Sequence, residues 1–247
     1  FKIGEETVEL AGVRLDPTTP KIALLLDNGD GMYRLSADSA LKTGVELFLE
    51  TLDRGTEVGV FTLAPQVRRR KDFTAYREEV IESASGYFSE LEAGTRMMDG
   101  FLETWDRRFE ADDPWPVFVL VMGPGEDLSS YVTENEYGEF VQDLIIRGAT
   151  VHAIGLTAGA EGVTPGHPHS LAENLTQNTG GSFQSVTTTT GLDEALTQLA
   201  EHMNYHSYLV SLRYQIVHLV PNNSSGDVSV NPSNPSHSLQ LFLDRRL

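Results

Sequence analysis

The 247-residue sequence contains no cysteine, which excludes disulfides, a thiol nucleophile and cysteine-ligated metals while leaving the compartment open. Lysine is scarce: Lys2, Lys21, Lys42 and Lys71 are the only four. With 18 Lys+Arg against 36 Asp+Glu the formal net charge is −18. A chain this acidic lacks the clustered cations that grip a phosphate backbone, so a nucleic-acid partner is not expected. No apolar run approaches the roughly 20 residues of a membrane helix, and nothing at the N-terminus reads as a signal peptide. The chain opens on Phe1 rather than Met, so the expectation is a piece of a longer protein, with room upstream for an export signal or an anchor.

Catalytic signatures are missing as well. There is no Gly-x-x-x-x-Gly-Lys-Ser/Thr phosphate loop and no Gly-x-Ser-x-Gly elbow. His202 and His206 have the spacing of one helical face, but Met203 stands where a zinc hydrolase needs Glu. Acid pairs such as Asp112-Asp113 occur all along so acidic a chain and single out no catalytic pair. The expectation is a protein without enzymatic activity.

What is present is a clear α/β pattern. Ile22–Leu26 (IALLL), Val58–Leu63 (VGVFTL), Val117–Met122 (VFVLVM) and Val151–Leu156 (VHAIGL) are unbroken apolar runs, the signature of strands buried on both faces. Between and after them, apolar residues recur at helical spacing: Leu41, Val45, Phe48 and Leu52; Met98, Phe101, Leu102, Trp105 and Phe109; Tyr137, Phe140, Val141, Leu144 and Ile145; and Leu192, Ala195, Leu196, Leu199, Ala200 and Met203. This alternation predicts a doubly wound, mostly parallel central sheet with helices on both faces. Arg68-Arg69-Arg70-Lys71, the one basic cluster, reads as an edge strand whose charge discourages sheet-to-sheet pairing, or else as an anionic contact.

Composition shifts near residue 208. From Phe109 to Leu212 the only basic residue is Arg147, whereas Arg213, Arg245 and Arg246 later face only Asp227 and Asp244. The predicted organisation is a lead-in segment over 1–19, an α/β domain over 20–208 and a C-terminal β extension over 209–247. The extension is read as two or three antiparallel strands drawn from 208–220 and 238–243, with a polar turn at 221–226 and a Pro/Ser/Asn loop at 231–237.

In an open parallel sheet, ligands bind at the carboxyl ends of the strands. Three segments fall there: Asp27-Asn28-Gly29-Asp30-Gly31-Met32-Tyr33, Gly94-Thr95-Arg96, and Gly123-Pro124-Gly125-Glu126-Asp127. Together with KIALLLD, GTRMMDGF, VFVLVMGPGED, GATVHAIGL and LAENLTQNTGGSFQSV, they make residues 20–208 resemble the von Willebrand factor type A domain, in its bacterial branch that carries a β tail. The resemblance implies adhesion or protein binding, and a bacterial protein acting in the periplasm, the cell envelope or outside the cell.

Members of that family often hold a divalent cation with Asp-x-Ser-x-Ser, a Thr and a further Asp. Here those positions carry Asp27, Gly29, Gly31, Thr95 and Gly123, so two hydroxyls and one carboxylate are missing from a set of hard oxygen ligands. Asp27, Asp30 and Thr95 are what remains for Mg²⁺ or Ca²⁺, with Glu126 or Asp127 as substitutes. Two readings follow. The first is a metal-free interaction module binding a basic protein surface through Asn28, Gly29, Asp30, Gly31, Met32, Tyr33, Thr95, Arg96, Gly123, Pro124, Gly125, Glu126 and Asp127, with Met32 and Tyr33 as apolar anchors. The second is a metal-dependent adhesion domain with an incomplete ligand set.

Overall fold

A computed structural model describes residues 19–113, 115–157 and 167–211, together with five short strand segments outside them. The chain divides into two compact units, Phe1–Thr18 with Tyr208–Leu247, and Thr19–Ser207.

In the first unit, β1 (Lys2–Ile3), β2 (Glu6–Thr7) and β3 (Leu10–Leu15) come from the segment read as a lead-in. The second unit carries β4 (Lys21–Leu26), α1 (Asp30–Arg34), α2 (Asp38–Thr51), β5 (Glu57–Thr62), β6 (Arg68–Thr74), α3 (Arg77–Ser85), α4 (Met97–Arg108), β7 (Pro116–Met122), α5 (Glu134–Ile146), β8 (Thr150–Leu156), α6 (His167–Thr179), β9 (Phe183–Val186) and all but the last turn of α7 (Leu192–Ser211). The tail returns to the first unit as β10 (Tyr214–His218) and β11 (Val228–Ser229). There β10 pairs antiparallel with β3 and β11 with β1, so lead-in and tail form their sheets together. Residues 208–211, read as strand, are the last turn of α7. The turn at 221–226, the loop at 231–237 and the strand at 238–243 lie outside the described residues.

The six-stranded sheet has the order β6-β5-β4-β7-β8-β9. Every pairing is parallel except β5 with β6, and the basic cluster lies on that antiparallel edge strand, as its charge predicts. The unbroken apolar runs are explained by the layers above and below. Within β4, Ile22, Leu24 and Leu26 join a core with α2, α3 and α7, whereas Ala23 and Leu25 join a second core with α4, α5 and α6. All five are at most 1% exposed.

Ile145 departs from the expected stripe. It is 50% exposed, because the buried line of α5 runs through Phe140, Val141 and Leu144, and the next residue is turned about 100° around the helix.

Candidate functional site

Strand order reverses about β4, whose neighbours β5 and β7 lead away in opposite directions, and the chain leaves β4 through Asp27. The backbone N–H of Asp27 still donates to Val121 of β7 at 2.9 Å, so the residue is held at the end of the ladder. Its side chain is 2% exposed and fully engaged. Oδ1 accepts from the Gly29 N–H at 2.8 Å and the Thr95 hydroxyl at 2.7 Å, and Oδ2 accepts from the Gly123 N–H at 2.9 Å. One carboxylate therefore ties together the three loops that the sequence places at this end.

Asn28 adds a second tie. Its Oδ1 accepts from Leu63 and Ala64, and its Nδ2 donates to the Ala64 carbonyl, which fastens the first loop to the end of β5. The Asn28 carbonyl then accepts from Glu90, Asp30 N–H donates to Ala93, and Glu92 N–H donates to Asp30 Oδ1. The third loop closes on the second through a bridge between Thr95 and Asp127 and a 2.7 Å bond from Leu128 N–H to the Thr95 carbonyl. Asp127 accepts from Met97 and Met98, capping the otherwise unpaired N–H groups of α4 from a different loop, and also from the Ser129 hydroxyl.

Burial sorts the expected contact residues. Asn28, Gly29 and Gly123 are buried and act inside the site. Met32, expected as an apolar anchor, is 0% exposed and belongs to the core beside α2. As the third residue of α1 it faces the core, while Tyr33, one step around the helix, faces solvent. Gly125 and Glu126 are exposed; Asp30, Gly31, Thr95, Arg96, Pro124 and Asp127 are half-buried. Arg96 pairs with Asp99 and donates to the Pro65 carbonyl, so much of its capacity is internal.

Electrostatics follow the same geometry. Burial, reinforced by the charge of Asp127, holds the Asp27 carboxyl above its usual range even though three hydrogen bonds pull it down. Burial, with the Asp27 charge, pushes up the Tyr87 hydroxyl, which donates to the Asp27 carbonyl at 2.6 Å. Asp30 is held low by Arg34 and the Glu92 N–H.

Comparison with solved structures bears on the reading. The chain superimposes on a von Willebrand factor type A protein from Catenulispora acidiphila over 76% of its own length and 43% of that chain, at 15% identity and a TM-score of 0.61. The von Willebrand factor domain of a type V pili tip protein from Porphyromonas gingivalis aligns over 77% of this chain and 97% of its own, at 12% identity and a TM-score of 0.55. The fold is that of a von Willebrand factor type A domain. Proximal thread matrix protein 1 from the mussel byssus, with zinc in its metal-ion-dependent adhesion motif, aligns at 13% identity and a TM-score of 0.56 over 76% of this chain and 48% of that one. This chain thus spans under half of the Catenulispora and mussel chains. By sequence, no family model and no curated protein matches.

Within this von Willebrand A-like fold, the residues at the usual cation positions do not fit a metal ion. A Cβ on Gly29 would stand 2.6 Å from Thr95 Oγ1 and 2.7 Å from the Ala93 carbonyl oxygen. On Gly31 it would stand 1.9 Å from the Pro124 carbonyl oxygen, and on Gly123 2.9 Å from the Met32 nitrogen. The backbone has closed over the space that ligand side chains would occupy. The substitute carboxylates are committed, Asp30 to Arg34 and Glu92, and Asp127 to the start of α4. Among the described residues, no three His, Cys, Asp or Glu side chains converge as a metal-binding group. Restoring a ligand residue should therefore damage the domain: Gly31→Ser is expected to cost about 2 kcal/mol by overpacking. Denaturant titration with and without millimolar Mg²⁺ checks this, the expected result being a loss that the ion does not reverse.

Sequence reasoning missed several exposed apolar residues around these loops. Phe88, Leu91 and Tyr131 are 52%, 54% and 90% exposed. Periodicity carries no signal for an apolar residue placed outward on a loop. His202 and His206 lie on α7 away from these loops, His202 beside His152 and His206 against the Trp115 ring, with ring centroids 6.2 and 5.1 Å apart.

Proposed function

We propose that this domain is a non-enzymatic protein-interaction module that takes its partner, without a bound metal ion, on the loops at the carboxyl end of the sheet. One observation carries the reading. Of nine large apolar side chains exposed among the described residues, four (Phe88, Leu91, Leu128 and Tyr131) stand on these cross-tied loops and a fifth, Tyr33, on the short helix α1 that the first of them enters. Exposed aromatic and aliphatic side chains on a preorganised base are what a binding hot spot requires, because little ordering entropy remains to be lost on association.

The rim favours a basic partner. Glu92 and Glu126 are exposed, while the two nearby cations, Arg34 and Arg96, are paired with Asp30 and Asp99. Long-range attraction between such a rim and a basic surface raises the association rate. Asp127 is unsuited to testing this, since its carboxylate caps α4.

A photo-crosslinking residue at Tyr131 or Leu128 tests the face in cells that make the protein, with Tyr205, an exposed aromatic on α7, as the control position. The expected result is a product specific to the loop positions that survives EDTA. With the captured partner purified, the Glu92→Lys/Glu126→Lys pair should slow association about tenfold at low salt and flatten its salt dependence. Identical products at Tyr205 would reject the face; products lost with EDTA would instead support the metal-dependent reading.

A further inference from the structure

The basic cluster is a sequence feature this interaction surface does not use. Arg69 of β6 lies across from Phe61 of β5, and α4 packs on the same side of the sheet. Between them is a cavity of about 130 Å³ whose walls include Phe61, Arg69, Glu103, Thr104, Arg107 and Arg108. We propose that this cavity binds a small oxyanion, a phosphate or a carboxylate group.

Three features support the assignment. The first is charge: three guanidinium groups and a single carboxylate line the cavity, in a chain whose net charge is −18. The second is commitment. Arg69 pairs with Asp72, and Arg107 with Glu103 at 3.0 Å, but Arg108 has only a stretched 3.9 Å contact to Asp72. A guanidinium fork matches the paired oxygens of carboxylate or phosphate. The third is the wall itself. Thr104 is 1% exposed and its hydroxyl has no hydrogen-bond partner. A helical Thr ordinarily returns its hydroxyl to the carbonyl one turn back. A buried hydroxyl left unpaired is costly, and an anion in the cavity gives it an acceptor beside three cations.

Size narrows the ligand. At about 130 Å³ the cavity is well below the 300–1,000 Å³ of sites for drug-sized molecules, so it takes a small ion or one anionic group carried on a larger molecule.

The test is a titration of the full chain at constant ionic strength, chloride being exchanged first for inorganic phosphate and then for an N-acetylated peptide carrying one glutamate. Binding is read by calorimetry and thermal unfolding temperature by scanning. The expected result is saturable one-site binding of at least one probe, weakened about tenfold by Arg108→Gln and also by Thr104→Val. In chloride alone Thr104→Val should unfold at the same or a higher temperature, because it removes an unpaired buried hydroxyl; this separates loss of the ligand from loss of the fold. Phosphate binding more tightly than the peptide assigns the site to a free ion, and the reverse order to a group carried by a protein. No saturable binding of either probe, or binding in either variant as tight as in the parent protein, would overturn the proposal.

Discussion

Asp27→Ala is expected to destabilise the α/β unit by about 4 kcal/mol and to lower its unfolding temperature by about 10 °C. The substitution removes a single acceptor group yet leaves the Gly29 and Gly123 N–H groups and the Thr95 hydroxyl without a partner, the first two at buried positions. Each buried donor left unpaired costs roughly 1–3 kcal/mol. Part of the loss is offset, because burying the carboxylate is itself unfavourable, as its raised pKa records. Asp27→Asn should lose less: it keeps one carbonyl acceptor and removes the buried charge, although its amide would face one of the donors. Denaturant titrations of the three proteins give the order directly. In a metal-held version of this fold, EDTA would reproduce the effect of Asp27→Ala. Here chelation is expected to leave the midpoint unchanged, and a shift comparable to that of Asp27→Ala would return the metal-dependent reading to first place.

The second large effect is on acid stability and centres on His152, at the other end of the β8 strand. Its ring is 4% exposed, and its Nδ1 accepts from the Ser182 N–H at 3.2 Å, so the neutral ring carries its proton on Nε2. Burial, with the charges of His202 and His206 adding to it, pushes its pKa down from 6.5 to about 4. Between those values the unfolded chain binds a proton that the folded protein refuses, so stability is fully present above pH 6.5 and is lost as the pH falls towards 4. A displacement of this size corresponds to about 3 kcal/mol.

Two other groups act on the same limb. His169, also depressed by burial, adds to the acid loss. Asp27 opposes it: its folded pKa is raised, so its contribution grows as the pH falls through that value. The His152 share is isolated by comparison with His152→Asn, which keeps an acceptor for Ser182 and cannot be protonated. Unfolding free energies measured from pH 7 to pH 4 should fall about 3 kcal/mol more in the parent than in the variant. Parallel curves would mean that the buried imidazole titrates like an exposed one.

Much of the sheet was legible because each central strand faces two cores. Side chains on both sides of β4, β7 and β8 must be apolar, so these strands appear as unbroken apolar runs. The faces of α2 and α7 were legible for the complementary reason, since one stripe of each is buried at the period of the helix. The edge position of β6 could be read from its charge, because only an edge strand tolerates three arginines and a lysine in succession. Of the strands of the first unit only β10 was legible, within the run read as strand over 208–220. β3 finds its partner in β10, some two hundred residues away, and no local pattern announces a pairing of that separation.

The candidate site divides along the same line. By itself the sequence determined which segments meet at the carboxyl end of the sheet, because that follows from the order of strands and helices along the chain; that ligand side chains are missing there is what the resemblance implies. Whether the missing ligands leave an open cradle or a closed turn was decided only by tertiary structure, through the 1.9 Å approach of the Pro124 carbonyl to the place a Gly31 side chain would take. Tertiary structure likewise turned Met32 into the core, gave Asp127 to the start of α4 and brought Arg69 of β6 to the cavity that Thr104 and Arg108 of α4 line. The physical reason is common to all of them: hydrogen-bond partners and excluded volume come from loops remote in the chain, and a residue's identity states what it can donate, accept or fill but not which neighbour will be there.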